Sequence, residues 1–173
     1  ARTSDGSISL VENEKIVERL KSGGVRTLLY GGNAALYHMS LSEYPEFLAV
    51  LTEQVDREVV AIPSVGPGFG IMMEQAAILR DFDFPTAMVL PTRDMAQSNG
   101  VATGIRKFAE SFGKPVVVYL KFEEYLNAKS LRSLVDDGVL SWIKYAVDHI
   151  GQPEYFSCSA VFFTAKANKV QNW

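Results

Sequence analysis

One lysine interrupts the apolar segment Trp142–Val147. Burying an ammonium group is costly, and a lysine in apolar surroundings usually responds with a lowered pKa. A neutral lysine amine attacks carbonyl carbons and forms a Schiff base. The alternative is a lysine on an edge strand, where its charge points to solvent and blocks unwanted strand pairing. The position of Lys144 therefore predicts either a nucleophile or an edge lysine.

Tyr119 closes a second apolar segment, Pro115–Tyr119. In a strand, a period of two puts Val117 and Tyr119 on one face and Val116 and Val118 on the other. A tyrosine at the end of a buried strand can transfer protons at the mouth of a sheet or barrel. Its other role is an amphipathic plug whose hydroxyl is bonded to backbone. Both interpretations of Tyr119 stay open.

Two glycine-containing turns follow other apolar segments. Gly31, Gly32 and Asn33 lie where backbone N–H groups can approach a carboxylate or phosphate, although a simple tight turn has the same composition. The turn Gly66–Gly70 has the spacing G-x-G-x-G, which does not match the dinucleotide-binding pattern G-x-G-x-x-G. A loop shaped by glycines is therefore the favoured interpretation of the second turn.

The remaining polar residues give no metal or cofactor signal. His38 and His149 are isolated, and no paired His, Cys or carboxylate pattern has the spacing of a metal site. We therefore predict no metal and no cofactor.

The elements that must position these residues repeat in order along the chain. Short apolar segments recur about 30 residues apart, the length of one βα unit, at Arg26–Tyr30, Val59–Pro63, Thr86–Leu90, Pro115–Tyr119 and Trp142–Val147. They are apolar throughout, as strands buried on both faces should be. Helical periodicity lies between them, with Ser40 and Glu43 forming a possible capping box. Gly113 and Gly138 are placed to end two of the helices.

Strands that alternate with helices predict an α/β fold with parallel strands, either a doubly wound sheet or a TIM (β/α)8 barrel. The order of elements favours a barrel that is incomplete, with strands 2–6 present and strand 1 and the C-terminal units missing or divergent. We predict one partial barrel over residues 1–147 and a divergent tail over 148–173, in which Ser157–Thr164 is a possible strand. Open sheet edges predict aggregation or oligomerisation of this chain.

Composition excludes several classes of protein. The 173 residues are 47% hydrophobic and 21% charged, with a net charge of −3, which favours neither nucleic acid nor an anionic membrane as a partner. No apolar run reaches the ~18 residues of a membrane span. Cys158 is the single cysteine, so no intrachain disulfide forms, and we expect a reducing, cytoplasmic location.

The order of these features resembles the dihydrodipicolinate synthase and N-acetylneuraminate lyase family of class I aldolases, from Asp5 to Lys144. Gly31–Ala35 falls on the signature G-T-T-G-E, and Met39–Glu43 on the L-[ST]-x-x-E that follows it. Tyr119 falls on the tyrosine that ends the fifth barrel strand, and Lys144 on the Schiff-base lysine of the sixth.

The resemblance implies a lyase, aldolase or dehydratase that acts on a 2-keto acid such as pyruvate or a sugar-acid derivative. Lys144 would form the Schiff base and Tyr119 would transfer protons. Gly31, Gly32 and Asn33 would hold the carboxylate. The resemblance also implies a homo-oligomer in the full-length form.

The chain departs from the family pattern at several positions. Both threonines of the signature are replaced, by Gly32 and Asn33, so the hydroxyl between carboxylate and proton relay is lost. Arg93 falls where the family has a tyrosine, and the arginine of lysine-pathway enzymes has no counterpart after Tyr119. These changes disfavour lysine biosynthesis. They also leave open a non-catalytic keto-acid or sugar-acid binding remnant of the same fold, with a nucleotide binder using Gly66–Gly70 as a third hypothesis.

Overall fold

The structure of the protein is a computed structural model. It describes residues 1–32, 36–56, 58–92, 97–146, 161–166 and 169–170, the last two ranges as backbone alone.

Helices and strands alternate along most of the described chain, as the spacing of apolar segments predicted. The elements are α1 (Leu10–Ser22), β1 (Thr27–Tyr30), α2 (Tyr44–Gln54), β2 (Val60–Val65), α3 (Phe69–Leu79), β3 (Met88–Val89), α4 (Ser98–Phe112), β4 (Val116–Leu120), α5 (Ala128–Asp136), β5 (Leu140–Tyr145), β6 (Val161–Lys166) and β7 (Lys169–Val170). Short 3-10 turns lie at Leu36–His38, Leu41–Glu43 and Glu123–Tyr125.

Strands β1 to β5 form a parallel sheet in sequential order. A doubly wound sheet reverses its strand order partway across, and these five strands show no such reversal. Burial explains the apolar sequences, since all of β4 and every residue of β2 after Val60 are buried. The parallel α/β architecture is therefore confirmed, and the doubly wound alternative is wrong.

The helices form one layer against the sheet, with α1 to α5 each packed on the next helix in order. Glycines end two of them as predicted. Gly113 has φ of 82° and donates its N–H to the carbonyl of Ala109 at 2.8 Å. Gly138 has φ of 69° and donates to the carbonyl of Val135 at 3.0 Å. Both backbones adopt the left-handed conformation that glycine enters at little cost.

The predicted capping box at Ser40 and Glu43 is wrong. The Ser40 side chain makes no capping hydrogen bond, and its Oγ lies 2.9 Å from Ser42 Oγ instead. The Glu43 carboxylate pairs with the guanidinium of Arg2. A 3-10 turn precedes α2 at this point, and α2 begins at Tyr44.

Large apolar side chains fill the space between the helices and the sheet. Those that are at most 1% exposed include Tyr44, Leu48, Ile105, Phe108 and Leu134. Burial of one such side chain stabilises the fold by about 1.5–3 kcal/mol. None of the helices in the described part of the chain combines the length and the hydropathy that crossing a bilayer requires.

The sheet continues differently beyond β5. Strand β6 overlaps the strand predicted at Ser157–Thr164, but it runs antiparallel to β5, and β7 pairs antiparallel with β6. The parallel, curled part is thus a five-stranded half-barrel in which β1 forms an edge. The numbering of these strands within a complete barrel stays a prediction.

Candidate active site

The first and fifth strands of the parallel sheet approach each other at the glycine turn after β1. In a flat sheet, strands four positions apart are about 19 Å from each other. Here a Cβ placed on Gly32 would lie only 3.3 Å from the Nζ of Lys144, which belongs to β5. The sheet is therefore curled, and its curvature brings the first and fifth strands to one mouth at their carboxyl ends.

Lys144 and Tyr119 lie side by side in this mouth. They are register partners on the neighbouring strands β4 and β5. The Lys144 Nζ lies 3.9 Å from the centroid of the Tyr119 ring, close enough for a cation–π contact when the amine is protonated. Tyr119 is buried and Lys144 is half-buried. Strand β5 has neighbours on both sides, so the edge-lysine alternative does not describe Lys144.

The surroundings of Lys144 weaken its hold on a proton. Burial lowers the pKa of the Lys144 amine, and the positive charge of Lys121 lowers it further. Lys121 follows β4 and is exposed. Both effects increase the fraction of neutral amine, the form that attacks a carbonyl carbon.

The two glycines of the first turn have different surroundings. Gly31 is buried with φ of +109°, and a Cβ there would lie 3.1 Å from Ser64 Cβ and 3.3 Å from Leu36 Cβ. A Cβ on Gly32 would instead meet the ends of long side chains, at 3.2 Å from Met88 Cε as well as at the Lys144 amine. Gly31 therefore permits the fold of the turn, and Gly32 leaves room beside the amine.

A hydroxyl without a partner lies beneath this turn. Ser64 is fully buried in β2, and its Oγ makes no hydrogen bond with any described residue. Such a group forgoes the hydrogen bonds it would make with water, which costs about 1–3 kcal/mol.

Two further phenols bond to consecutive carbonyls at the end of β3. The Tyr37 hydroxyl donates to the carbonyl oxygen of Pro91 at 3.3 Å. The Tyr125 hydroxyl donates to the carbonyl oxygen of Leu90 at 3.4 Å. Burial raises the pKa of Tyr37, and the nearby Tyr119 phenol raises it further. Burial also raises the pKa of Tyr125, with a smaller contribution from Tyr37. The phenols of Tyr37 and Tyr125 are therefore neutral at physiological pH.

The second glycine turn is held by a side-chain hydrogen bond and borders a cavity. The Gly66 N–H donates to Oε1 of the buried Gln75 at 2.7 Å. A Cβ on Gly68 or Gly70 would meet nothing within 4 Å. A cavity of ≈ 520 Å³ opens beside the turn, lined in part by Phe69 and Tyr125.

The structure thus brings together four of the five predicted site residues, Lys144, Tyr119, Gly31 and Gly32. The fifth, Asn33, lies outside the described residues, as do Arg93, His149 and Cys158. His38 is exposed in the turn Leu36–His38, apart from the contacts at the mouth. Within the described ranges, no three His, Cys, Asp or Glu side chains group closely enough to hold a metal ion.

Sequence reasoning missed three side chains of the mouth: Tyr37, Ser64 and Met88. A signal existed for the last two. Ser64 is the one hydroxyl within the apolar strand β2, and Met88 belongs to the apolar segment Thr86–Leu90 that was predicted as a strand. Tyr37 follows the glycine turn without any pattern of its own, and its hydrogen-bond partner is 54 residues away.

Comparison with solved structures places this geometry among known folds, although no protein-family model and no curated protein matches the chain. Dihydrodipicolinate synthase from Bacillus clausii aligns with a TM-score of 0.74 at 24% identity, over 86% of this chain and 50% of its own. A prophage protein of the dihydrodipicolinic acid synthase family from E. coli K12, solved with pyruvate, aligns with a TM-score of 0.75 at 17% identity, over 86% and 52%. N-acetylneuraminate lyase from Fusobacterium nucleatum aligns with a TM-score of 0.72 at 14% identity, over 83% and 52%.

The chain spans about half the length of these proteins. Identities below 25% establish the fold and leave the reaction open. The resemblance predicted from the sequence is confirmed at this level: the chain has the fold of the dihydrodipicolinate synthase and N-acetylneuraminate lyase family, as a half-barrel.

Proposed function

We propose that the protein is a Schiff-base-forming lyase, aldolase or dehydratase that acts on a 2-keto acid, such as pyruvate or a sugar-acid derivative, through Lys144. The observation that carries the proposal is the position of the Lys144 amine, half-buried over the Tyr119 ring and beside the open backbone of Gly32. An amine whose pKa is lowered, next to a phenol and a glycine turn, is the arrangement that this chemistry requires.

The reaction begins with the neutral amine. Its nitrogen lone pair attacks C2 of the keto acid, and the carbonyl oxygen takes up protons and leaves as water. The product is a protonated imine that joins C2 to the Lys144 nitrogen. When a bond at C3 then breaks, its electron pair forms a C2=C3 double bond and the imine nitrogen becomes a neutral enamine. This electron sink is what permits cleavage or addition at C3.

The neighbouring groups have distinct roles in this proposal. Gly31, Gly32 and Asn33 bind the carboxylate through backbone N–H groups, with the Asn33 amide as a further donor. Tyr119 transfers protons to and from the keto oxygen and C3, which its place beside the amine supports. The prophage protein with this fold binds pyruvate, so pyruvate is the first ligand to test.

Trapping with borohydride tests the proposal directly. The chain is incubated with pyruvate and sodium borohydride, and the expected product carries one carboxyethyl group, which peptide mass spectrometry locates on Lys144. Lys144→Met is expected to abolish the modification completely. Unmodified Lys144 at saturating pyruvate, in a folded sample, would refute the proposal.

The matched control for that experiment is Lys107→Met. Lys107 is exposed on α4, where it lines the cavity beside the second glycine turn, so its removal leaves the contacts of Lys144 with Tyr119 and Gly32 intact. Trapping at Lys144 should be unchanged. If the two variants instead lose the same share of the total modification, the adduct reflects general lysine reactivity.

The second candidate is a non-catalytic keto-acid or sugar-acid binding remnant of the same fold. The absence of hydroxyl side chains at Gly32 and Asn33 favours it, because the link between carboxylate and proton relay is lost. This function predicts that pyruvate raises the melting temperature and still does so in Lys144→Ala. A catalytic site loses most of that stabilisation with the amine, since the covalent bond contributes to binding.

We also propose that the full-length protein is a homo-oligomer. The open edge of β1 supports self-association of this chain, because unpaired strand edges are prone to pairing. Light scattering that finds only monomer at high concentration would contradict this.

A further inference from the structure

Tyr37 spans the mouth of the half-barrel. Its backbone belongs to the turn Leu36–His38 after β1, which the buried Leu36 holds in place. Its hydroxyl nevertheless bonds to Pro91, beyond the end of β3. Because β2 lies between β1 and β3, the side chain must cross in front of the end of β2. Tyr37 is 42% exposed, so a ligand entering the mouth can touch it.

Tyr37 belongs to a group of three neighbouring phenols, of which Tyr119 contacts Lys144. Tyr119 lies next to the amine, and Tyr125 bonds to Leu90, the residue before Pro91. Tyr119 and Tyr125 are each at most 5% exposed. Tyr37 is therefore the phenol of this group that is most accessible from solvent.

The hydrogen bond from Tyr37 to Pro91 determines which ligand groups can bind to the phenol oxygen. Its proton is donated to the Pro91 carbonyl, which leaves the lone pairs of the phenol oxygen as acceptors. A ligand hydroxyl can donate to that oxygen. A ligand carboxylate has no proton to donate and would face an acceptor. The mouth thus favours a hydroxyl on the ligand at this point.

We propose that Tyr37 is a specificity-determining residue whose phenol oxygen accepts a hydrogen bond from a hydroxyl at C4 of a 4-hydroxy-2-keto acid. The assignment rests on the proposed function, which joins C2 to Lys144 and holds the carboxylate at Gly31 and Gly32. With those two ends fixed, C4 and the atoms beyond it extend from the amine into the open mouth, which Tyr37 crosses.

A pair of ligands that differ by one hydroxyl tests the inference. For 4-hydroxy-2-oxopentanoate and 2-oxopentanoate, the measurement is the concentration that gives half-maximal borohydride modification of Lys144, counting every adduct mass. The wild type is expected to prefer the hydroxylated acid by roughly tenfold, the effect of one well-formed hydrogen bond. Tyr37→Phe should lose that preference and bind 2-oxopentanoate as the wild type does.

Two further variants sharpen the experiment. Tyr37→Gln supplies a carbonyl oxygen as an alternative acceptor and is expected to recover part of the preference. Tyr30→Phe removes a hydroxyl that bonds to Asn13, away from the mouth, and should keep the full preference. Circular dichroism and thermal melting verify that each variant is folded.

The outcomes separate this inference from the proposed function. Wild-type protein that traps neither pyruvate nor the longer acids would overturn both. Normal trapping combined with an undiminished preference in Tyr37→Phe would overturn only the role of Tyr37. If Tyr37→Phe weakens the binding of both longer acids equally, the proposed role of Tyr37 is also overturned, because that result would indicate a packing role.

Discussion

The two glycine turns, one after β1 and one after β2, are both rich in glycine and differ in what surrounds them. Gly31 and Gly32 face Ser64, Met88, Tyr119 and Lys144 at distances of 3.1–3.7 Å from an added Cβ. In the turn Gly66–Gly70, an added Cβ would meet nothing within 3.8 Å at Gly66 and nothing within 4 Å at Gly68 and Gly70. The first turn is therefore packed against reactive groups, whereas the second borders open space.

The comparison separates two reasons for a glycine. One is backbone conformation, which applies to Gly31 at φ +109° and Gly66 at φ +87°. The other is the space that a missing side chain leaves for a neighbour, which applies to Gly32. Only the second reason points to chemistry, so the two turns respond differently to the same substitution.

Gly32→Ala is expected to have the largest effect on reactivity. The new methyl group would lie 3.3 Å from the position of the Lys144 Nζ and displace the amine. At 3.3 Å the amine must shift by a few tenths of an ångström, so we expect the rate of borohydride trapping with pyruvate to fall by about tenfold, less than the roughly hundredfold loss that a displacement of about 1 Å causes. The melting temperature should change little, because the contacted atoms are the ends of flexible side chains. Trapping at the wild-type rate would show that Gly32 has no role beside the amine.

Gly31→Ala should instead affect stability most. A left-handed φ in alanine costs about 1–3 kcal/mol, and crowding against Ser64 and Leu36 adds to it. We expect the free energy of unfolding, measured by urea denaturation, to fall by about 3 kcal/mol. Ser64→Gly in the same chain removes the nearest contact and should recover part of that loss in a double-mutant cycle. A loss below about 1 kcal/mol would mean that the backbone rearranges at this turn.

Most of the fold could be predicted because its signals are local. Strands β2, β3 and β4 are buried on both faces, apart from Val60, so each reads as an apolar segment. Gly113 and Gly138 mark helix ends through their own backbone conformation. The capping box failed for a nonlocal reason. The Glu43 carboxylate pairs with Arg2, which is 41 residues away, and no local pattern reveals such a partner.

The candidate site was predictable to a similar degree. Lys144 and Tyr119 stood out because each places a polar group at the end of an apolar strand. Tyr37 did not, since its importance comes from the curl of the sheet and from the distant carbonyl that this curl brings near. A sequence pattern describes one strand at a time, whereas the mouth is assembled from five.

The amine beside the first turn also feels a nearby positive charge, that of Lys121, and Lys121→Gln tests its effect. Burial and Lys121 both lower the pKa of Lys144, so removal of the Lys121 charge should raise that pKa. Trapping requires the neutral amine, and its rate therefore rises with pH through the pKa of Lys144. The variant should shift this rise to higher pH and react roughly two- to threefold more slowly below it, since an exposed charge is screened by water. Lys107→Gln makes the same change of charge on α4 and should leave the profile unchanged.

Gly70→Ala is expected to have the smallest effect of the series. Gly70 lies in the first turn of α3, where an added Cβ would meet nothing within 4 Å. Alanine favours the helical conformation over glycine by up to about 1 kcal/mol, so the free energy of unfolding should rise slightly. Pyruvate trapping at Lys144 should match the wild type, because this turn does not contribute to the mouth. A loss of trapping comparable to that of Gly32→Ala would erase the distinction between the two turns, since the second turn would then also border the reacting groups.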